Sequence, residues 1–290
     1  MKTFSAILFV FVAAFCSSTL AAEVKSDIEY GHAGDVSLKL DVCIPDGDGP
    51  FPIAIIVHGG GWGSGDKATD ITPLFQPLTD AKVTWFSINY RLAPAYRWPA
   101  CLEDVNTAIA WVKAHADDYK GDPNRVALIG YSAGGQLAFR ATQLAQPASR
   151  VQAVVGIAPP TDFEQDLAQR GGLSKALQDL LNRPKEVDET SLKLIREIGP
   201  IHHIQRDLPP FLILQGTADK TVPLVQSQNF VAKLKDAGVP AQLTTVEGAP
   251  HRFTEWQKFD PTYSAKLVDW LKTTLALRSS AATRPSGESK

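Results

Sequence analysis

Arg125-Val126-Ala127-Leu128-Ile129-Gly130-Tyr131-Ser132-Ala133-Gly134 is the stretch that decides the fold. Residues 125–130 read as a short, mostly apolar strand, and Ser132 to Leu144 returns to a helical pattern. Between them, Gly130-Tyr131-Ser132-Ala133-Gly134 is a G-x-S-x-G pattern in a strand–turn–helix context. A turn this tight leaves no room for a side chain at either flanking glycine. It would lift Ser132 Oγ clear of the backbone at the carboxyl end of a strand. It would also leave the Ala133 N–H free at a helix N-terminus, where backbone donors have no intrahelical partner. At ordinary Gly and Ser frequencies, chance supplies such a pattern about 0.1 times in a chain of this size. The pattern therefore needs support from elsewhere in the chain.

Outward from the turn, strands and helices alternate. Strand-like runs lie at Leu38 to Ile44, Pro52 to His58, Val83 to Tyr90, Val151 to Ala158, Pro210 to Gln215 and Gln242 to Glu247. Helical patterns cover Pro99 to Tyr119, with an apolar face of Leu102, Val105, Ile109 and Val112, then Pro223 to Ala237 and Tyr263 to Leu275. Such alternation implies parallel crossovers, hence an α/β fold with a mostly parallel central sheet and helices on both faces. The early strands have no helix between them, which suggests an antiparallel edge. Residues 160–208 interrupt the rhythm as a small cap, with helices expected at Leu173 to Leu181 and Glu189 to Ile198. Asp179, Arg183, Lys185, Glu186 and Asp188 break its apolar runs, so the cap is not expected to pack as one apolar roof.

Composition sets the limits. The 290 residues are 44% hydrophobic, enough for one large core, and carry 29 basic against 31 acidic side chains. That balance, with no basic stripe, removes the electrostatic case for nucleic acid. Lys2, an apolar run from Phe4 to Phe15 and the small residues through Ala22 read as a secretory leader, removed after Ala21 or Ala22. The run is shorter than the about 20 apolar residues of a spanning helix, so no membrane anchor is expected. The expected organisation is leader 1–21, one α/β domain 22–278 that includes the cap, and disordered tail 279–290, in a secreted or periplasmic protein. Cys43 and Cys101 would remain, and two separate thiols are favoured over a bridge.

Support for the serine comes from three loops. His58-Gly59-Gly60-Gly61-Trp62 follows the strand at 52–58, and a triple glycine there lets backbone N–H groups face a substrate oxygen. Chance expectation for this pattern is on the order of 0.002. A serine nucleophile needs a base, and the base an orienting acid, in the chain order Ser, Asp or Glu, His. Of six histidines, only His202, His203 and His251 follow Ser132. His251 lies in a loop after the last strand and Asp219 just past the strand at 210–215, both at strand carboxyl ends. His202 and His203 precede that strand and read as surface and packing residues. Glu247 is too near His251 to serve. The triad expected is Ser132, Asp219 and His251. Trp62 is expected to wall the site or to be a core aromatic. Asp162 reads as a loop cap more than a pocket residue, and Arg91 and Asp104 as structural.

These motifs, with Asn89-Tyr90-Arg91-Leu92-Ala93-Pro94, Pro99 to Val105 and Gly216 to Asp219, resemble the α/β-hydrolase esterases that carry an HGGG loop. That is the hormone-sensitive-lipase-like group with its exported bacterial feruloyl-esterase-like and acetylxylan-esterase-like relatives. The likeness runs from about residue 30 to 277. It implies that Gly60 and Gly61 join Ala133 in an oxyanion hole, and that Tyr131 and Trp62 contact substrate. Tyr131 stands where the lipase-like group often has an acidic residue, and the cap is internal; both tilt toward the exported esterases. A cap whose apolar runs are broken implies a small acyl pocket and hence a short-chain ester, and the resemblance implies a small or polysaccharide-linked alcohol, with neither metal nor cofactor. The alternatives are a lipase for longer chains, a serine peptidase of the prolyl-oligopeptidase type, which usually adds a propeller this chain has no room for, and a non-catalytic hydrolase-fold binding protein.

Overall fold

A computed structural model describes residues 22–282, with side chains to residue 276. Eight strands form one sheet in the order β1-β2-β4-β3-β5-β6-β7-β8. They are β1 Glu23–Ala33, β2 Val36–Ile44, β3 Phe51–Val57, β4 Thr84–Ile88, β5 Gly121–Tyr131, β6 Ala153–Ile157, β7 Phe211–Gly216 and β8 Ala241–Val246. β1 and β2 pair antiparallel, as do β2 and β4, and every later pair is parallel. The expected antiparallel edge is therefore present.

The apolar runs look continuous because both faces of the sheet are covered, yet each strand still alternates. Ile53, Ile55 and Val57 of β3, Val126 and Leu128 of β5, and Phe211 and Ile213 of β7 point into one core layer. Ala54 and Ile56, Ala127 and Ile129, and Leu212 and Leu214 point into the other. The first layer is closed by α2 (Ala100–Ala114), α3 (Ala133–Leu144) and α7 (Leu224–Asp236), through Val105, Ile109, Leu137, Phe230 and Leu234. The second is closed by α1 (Phe75–Asp80) and α8 (Tyr263–Ala282), through Leu78, Leu267, Leu271 and Leu275.

Three expectations change. β1 has no strand signature in sequence, because most of its side chains are exposed and it is held by backbone pairing to β2. The cap holds three helices: α4 Phe163–Arg170 precedes the two expected, α5 Lys175–Leu181 and α6 Glu189–Ile198. Its apolar residues do pack together. Phe163, Leu173, Leu177, Leu180, Ile195 and Ile198 are buried in the same cluster as the body of the sheet, because Asp179 lies on the half-buried side of α5 and Lys185, Glu186 and Asp188 lie in the exposed link between α5 and α6. Finally, α8 continues to Ala282, so residues 279–282 of the expected tail are helical. The leader at 1–21 and residues 283–290 lie outside the described residues.

Cys43 and Cys101 are free and buried. Burial pushes the Cys101 thiol up to about 12 and raises that of Cys43, which keeps both protonated. Among the described residues, no helix is long and apolar enough to cross a membrane.

Candidate active site

The β5–α3 turn gives Ser132 its position. Its backbone sits at φ 50° and ψ −119°, outside the regions an L-residue ordinarily prefers. The Ser132 N–H donates to the Ile157 carbonyl at 2.8 Å, which ties the turn to the end of β6. The two flanking glycines are dictated by contact. A Cβ on Gly130 would lie 2.1 Å from the Gly134 carbonyl oxygen, and one on Gly134 would lie 2.2 Å from that of Val57.

The structure brings the three expected residues into one line. Ser132 Oγ is 2.9 Å from His251 Nε2, and His251 Nδ1 is 2.7 Å from Asp219 Oδ2. An ionised carboxylate can only accept, so the network assigns the proton to Nδ1 and leaves Nε2 to accept from the serine hydroxyl. Asp219 is wholly buried as a side chain yet fully bonded. Its Oδ1 accepts from the Thr221 and Val222 amides at 2.8 and 2.9 Å, and its Oδ2 also accepts from Gln215 Nε2 at 2.9 Å. Gln215 is fixed in turn by the Ser227 hydroxyl, which donates to its Oε1 at 2.8 Å. Sequence reading missed Gln215 and Ser227. The available signal was one amide closing the otherwise apolar run Phe211-Leu212-Ile213-Leu214.

The glycine loop lies beside this line. Gly60 and Gly61 both have positive φ, 105° and 57°. Among the described residues, the amides of Gly60, Gly61 and Ala133 have no hydrogen-bond acceptor. Behind the loop, His58 is buried, stacks on Tyr90 at 4.2 Å and donates from Nδ1 to the Gly59 carbonyl at 2.7 Å. Burial lowers its pKa from 6.5 to about 4, so its ring is neutral.

A cavity of about 200 Å³ opens at Ser132, walled by Gly61, Trp62, Ala133, Phe163, Leu177 and Val222 among others. Trp62 meets both expectations, lining the cavity while its Nε1 donates to Gln136 Oε1 at 2.9 Å from within the core. Tyr131 does not line this cavity. Its hydroxyl donates to the His251 carbonyl at 3.1 Å and its ring packs against His251 and Phe253, so it props the histidine loop. The reason is geometric: residue 131 is the last of β5 and points into the second core layer. Burial pushes its phenol up to about 12.

The remaining candidates fall outside the triad. Asp162 caps α4, accepting from the Gln165 amide at 3.0 Å. Arg91 clamps buried Asp104 through Nε and Nη2. His203 Nε2 donates to the Arg196 carbonyl at 2.9 Å, and His202 lies 3.4 Å from Glu164. Among the described residues, no group of three or more His, Cys, Asp or Glu could hold a metal ion.

Known proteins resemble the chain as follows. A family profile described as BD-FAE matches residues 40–234. The probable carboxylic ester hydrolase LipM of Mycobacterium tuberculosis is 34% identical over 229 residues, 71% of this chain and 52% of that protein. Esterase LipC of the same organism is 34% identical over 218 residues, 70% of this chain and 53% of its own length. The chain thus spans about half the length of these curated relatives. A truncated carbohydrate esterase from gut microbiota superposes with a TM-score of 0.76 at 24% identity, covering 90% of this chain and 99% of its own, which speaks to the fold. The esterase Est2 of Thermogutta terrifontis gives 0.69 at 26% identity, covering 93% and 96%.

Proposed function

The chain belongs to the BD-FAE family, and from that premise we propose that it is a serine esterase acting on short-chain carboxylic esters of small or carbohydrate-linked alcohols. The observation that carries the reading is the line from Ser132 Oγ through His251 to Asp219, beside three amides that have no acceptor among the described residues. His251 Nε2 takes the proton as Ser132 Oγ attacks the ester carbonyl. Asp219 holds the tautomer that makes this possible and stabilises the imidazolium that forms. The amides of Ala133, Gly60 and Gly61 receive the oxyanion, where the loss of one donor typically costs about 2.7–4 kcal/mol of barrier. The protonated histidine returns its proton to the leaving alcohol. Water then attacks the acyl-enzyme by the same route, and the carboxylate is released. The route calls on side chains and amides alone.

The esterase names of the relatives support the ester, and a cavity of only about 200 Å³ at Ser132, which the acyl group must share with part of the alcohol, supports a short acyl group. The carbohydrate alcohol draws support from the carbohydrate-esterase name of a solved neighbour and from the leader-like N-terminus, since polymeric substrates lie outside the cell. The test is a panel of p-nitrophenyl esters, acetylated xylan, methyl ferulate and a p-nitroanilide. Turnover of short esters and acetylated xylan without anilide cleavage is expected. Anilide cleavage at a comparable rate would replace the reading with a peptidase. For export, the N-terminus of protein recovered outside the cytoplasm should begin at Ala22 or Glu23. An intact Met1 there would contradict a cleaved leader.

A further inference from the structure

Asp166 and Arg170 of cap helix α4 line the same cavity as Ser132, and no step above uses them. The guanidinium is pinned on two sides: Nε donates to Asp166 Oδ1 at 2.6 Å, and Nη2 to the Thr221 carbonyl at 2.9 Å. A guanidinium has five N–H groups, so these bonds leave three. Among the described residues, Asp166 Oδ2 and the Arg170 Nη1 donors have no partner. The Asp166 side chain is 11% exposed and that of Arg170 42%, so the open carboxylate oxygen and the free guanidinium N–H groups remain accessible to a ligand. The same cavity is lined by Trp62, Phe163, Ala176 and Leu177, with Phe163 on the same helix as the pair. The lining thus combines apolar, partly aromatic surface with an acceptor and a donor side by side.

That arrangement is badly matched to an alkyl chain. An apolar group filling the cavity would strip water from the carboxylate and the guanidinium and return no hydrogen bond. It is equally poor for an anionic group, because the pair is neutral overall. It does match a ring whose C–H face lies on aromatic carbon while its edge carries adjacent hydroxyls. We propose that Asp166 and Arg170 are a specificity-determining pair that reads neighbouring hydroxyls of the substrate, one hydroxyl donating to Asp166 Oδ2 and the next accepting from Arg170. The ligand class is a sugar or polyol ester. This rests on Ser132 being the nucleophile of the esterase proposed above. Because the guanidinium is already held by Asp166 and Thr221, little side-chain freedom is lost when substrate arrives.

Two acetates separate the pair from the chemistry, since they share the acyl group and differ in the alcohol: a monoacetylated methyl xyloside with a free vicinal diol, and cyclohexyl acetate. The readout is the ratio of their kcat/KM values for the wild-type chain, Asp166→Asn, Arg170→Gln and Arg170→Lys. The wild type should favour the xyloside. In Asp166→Asn and Arg170→Gln the ratio should fall about tenfold or more, through a raised KM for the xyloside, as expected when a hydrogen bond to a charged group is lost. Arg170→Lys, which keeps charge and loses the fork, should fall between. A purely structural role would lower both substrates in parallel, and an unchanged ratio would overturn the proposal. Turnover of cyclohexyl acetate by the wild type with no preference for the xyloside would overturn it too, leaving the esterase reading intact. Absence of turnover on either ester would sink both.

Discussion

Ser132 is held at φ 50° by its surroundings, with its N–H bonded to Ile157 and its carbonyl accepting from Gly135 at 2.9 Å. A non-glycine residue in such a region stores about 1–3 kcal/mol, and here the strain aims a hydroxyl at His251. Ser132→Gly should therefore raise the unfolding free energy by about 1 kcal/mol while abolishing turnover. Equal stability of Ser132→Gly and Ser132→Ala in denaturant titrations would argue against strain at this position. Asp219→Asn should lower kcat by about 10⁴-fold, because an amide in place of the carboxylate favours the wrong histidine tautomer. A loss below tenfold in a folded Asp219→Asn protein would remove Asp219 from the triad. The three residues of this line were legible in the sequence because their motifs mark strand ends in a fixed order. Gln215 and Ser227, which fix Asp219 from behind, were not: they sit 12 positions apart on a strand and a helix that only folding brings together. Tyr131, expected at the substrate, lies outside the cavity and against the His251 loop, because a motif gives the position of a residue and not the face of the strand it occupies.

The β5–α3 turn and the glycine loop meet where Gly134 lies against the carbonyls of Val57 and His58. Gly134→Ala would force a methyl group to within 2.4 Å of both oxygens, and neither can move without breaking β3 from the loop. The expected cost is at least about 3 kcal/mol, the upper end of overpacking, read as a fall in Tm or as failure to accumulate folded protein. Full stability of Gly134→Ala would contradict the close approach. The same loop carries a pH response through His58. Its folded pKa of about 4 lies below the ordinary 6.5, so between those values the unfolded chain binds more protons than the folded one. Stability from this group is complete above 6.5 and is lost as pH falls toward 4, by up to about 3 kcal/mol. His58→Gln should lack that component. Parallel stability–pH curves for the two proteins would count against a buried neutral His58. At this scale the parallel core strands were readable, since each is a short apolar run ended by a turn signal. The exposed edge strand β1 and the first cap helix α4 were not, because backbone pairing explains the one and an Asp162 cap on a largely polar segment the other.

Across the molecule, the cap sets what reaches Ser132. The sequence reading of a small pocket rested on a cap too broken to form an apolar roof, yet α4, α5 and α6 pack into the main core. The pocket is small for a different reason: Phe163 and Leu177, brought over the sheet by that packing, leave a cavity of about 200 Å³. A cavity that could hold a long acyl chain would gain about 0.8 kcal/mol per methylene, and kcat/KM would climb with chain length. Here kcat/KM should be highest from acetyl to butyryl and fall by decanoyl. A rise from acetate through decanoate would put a lipase in place of the proposed esterase. The expectations about turnover all depend on Ser132 being the nucleophile. The most direct measurement is reaction of the folded chain with a fluorophosphonate, mapped by peptide mass, alongside turnover of p-nitrophenyl acetate by Ser132→Ala. A single adduct on Ser132, absent from the variant, and a loss of turnover of several orders of magnitude are predicted. A folded chain that takes no adduct, or a Ser132→Ala protein that turns over the ester at near the wild-type rate, would contradict the account.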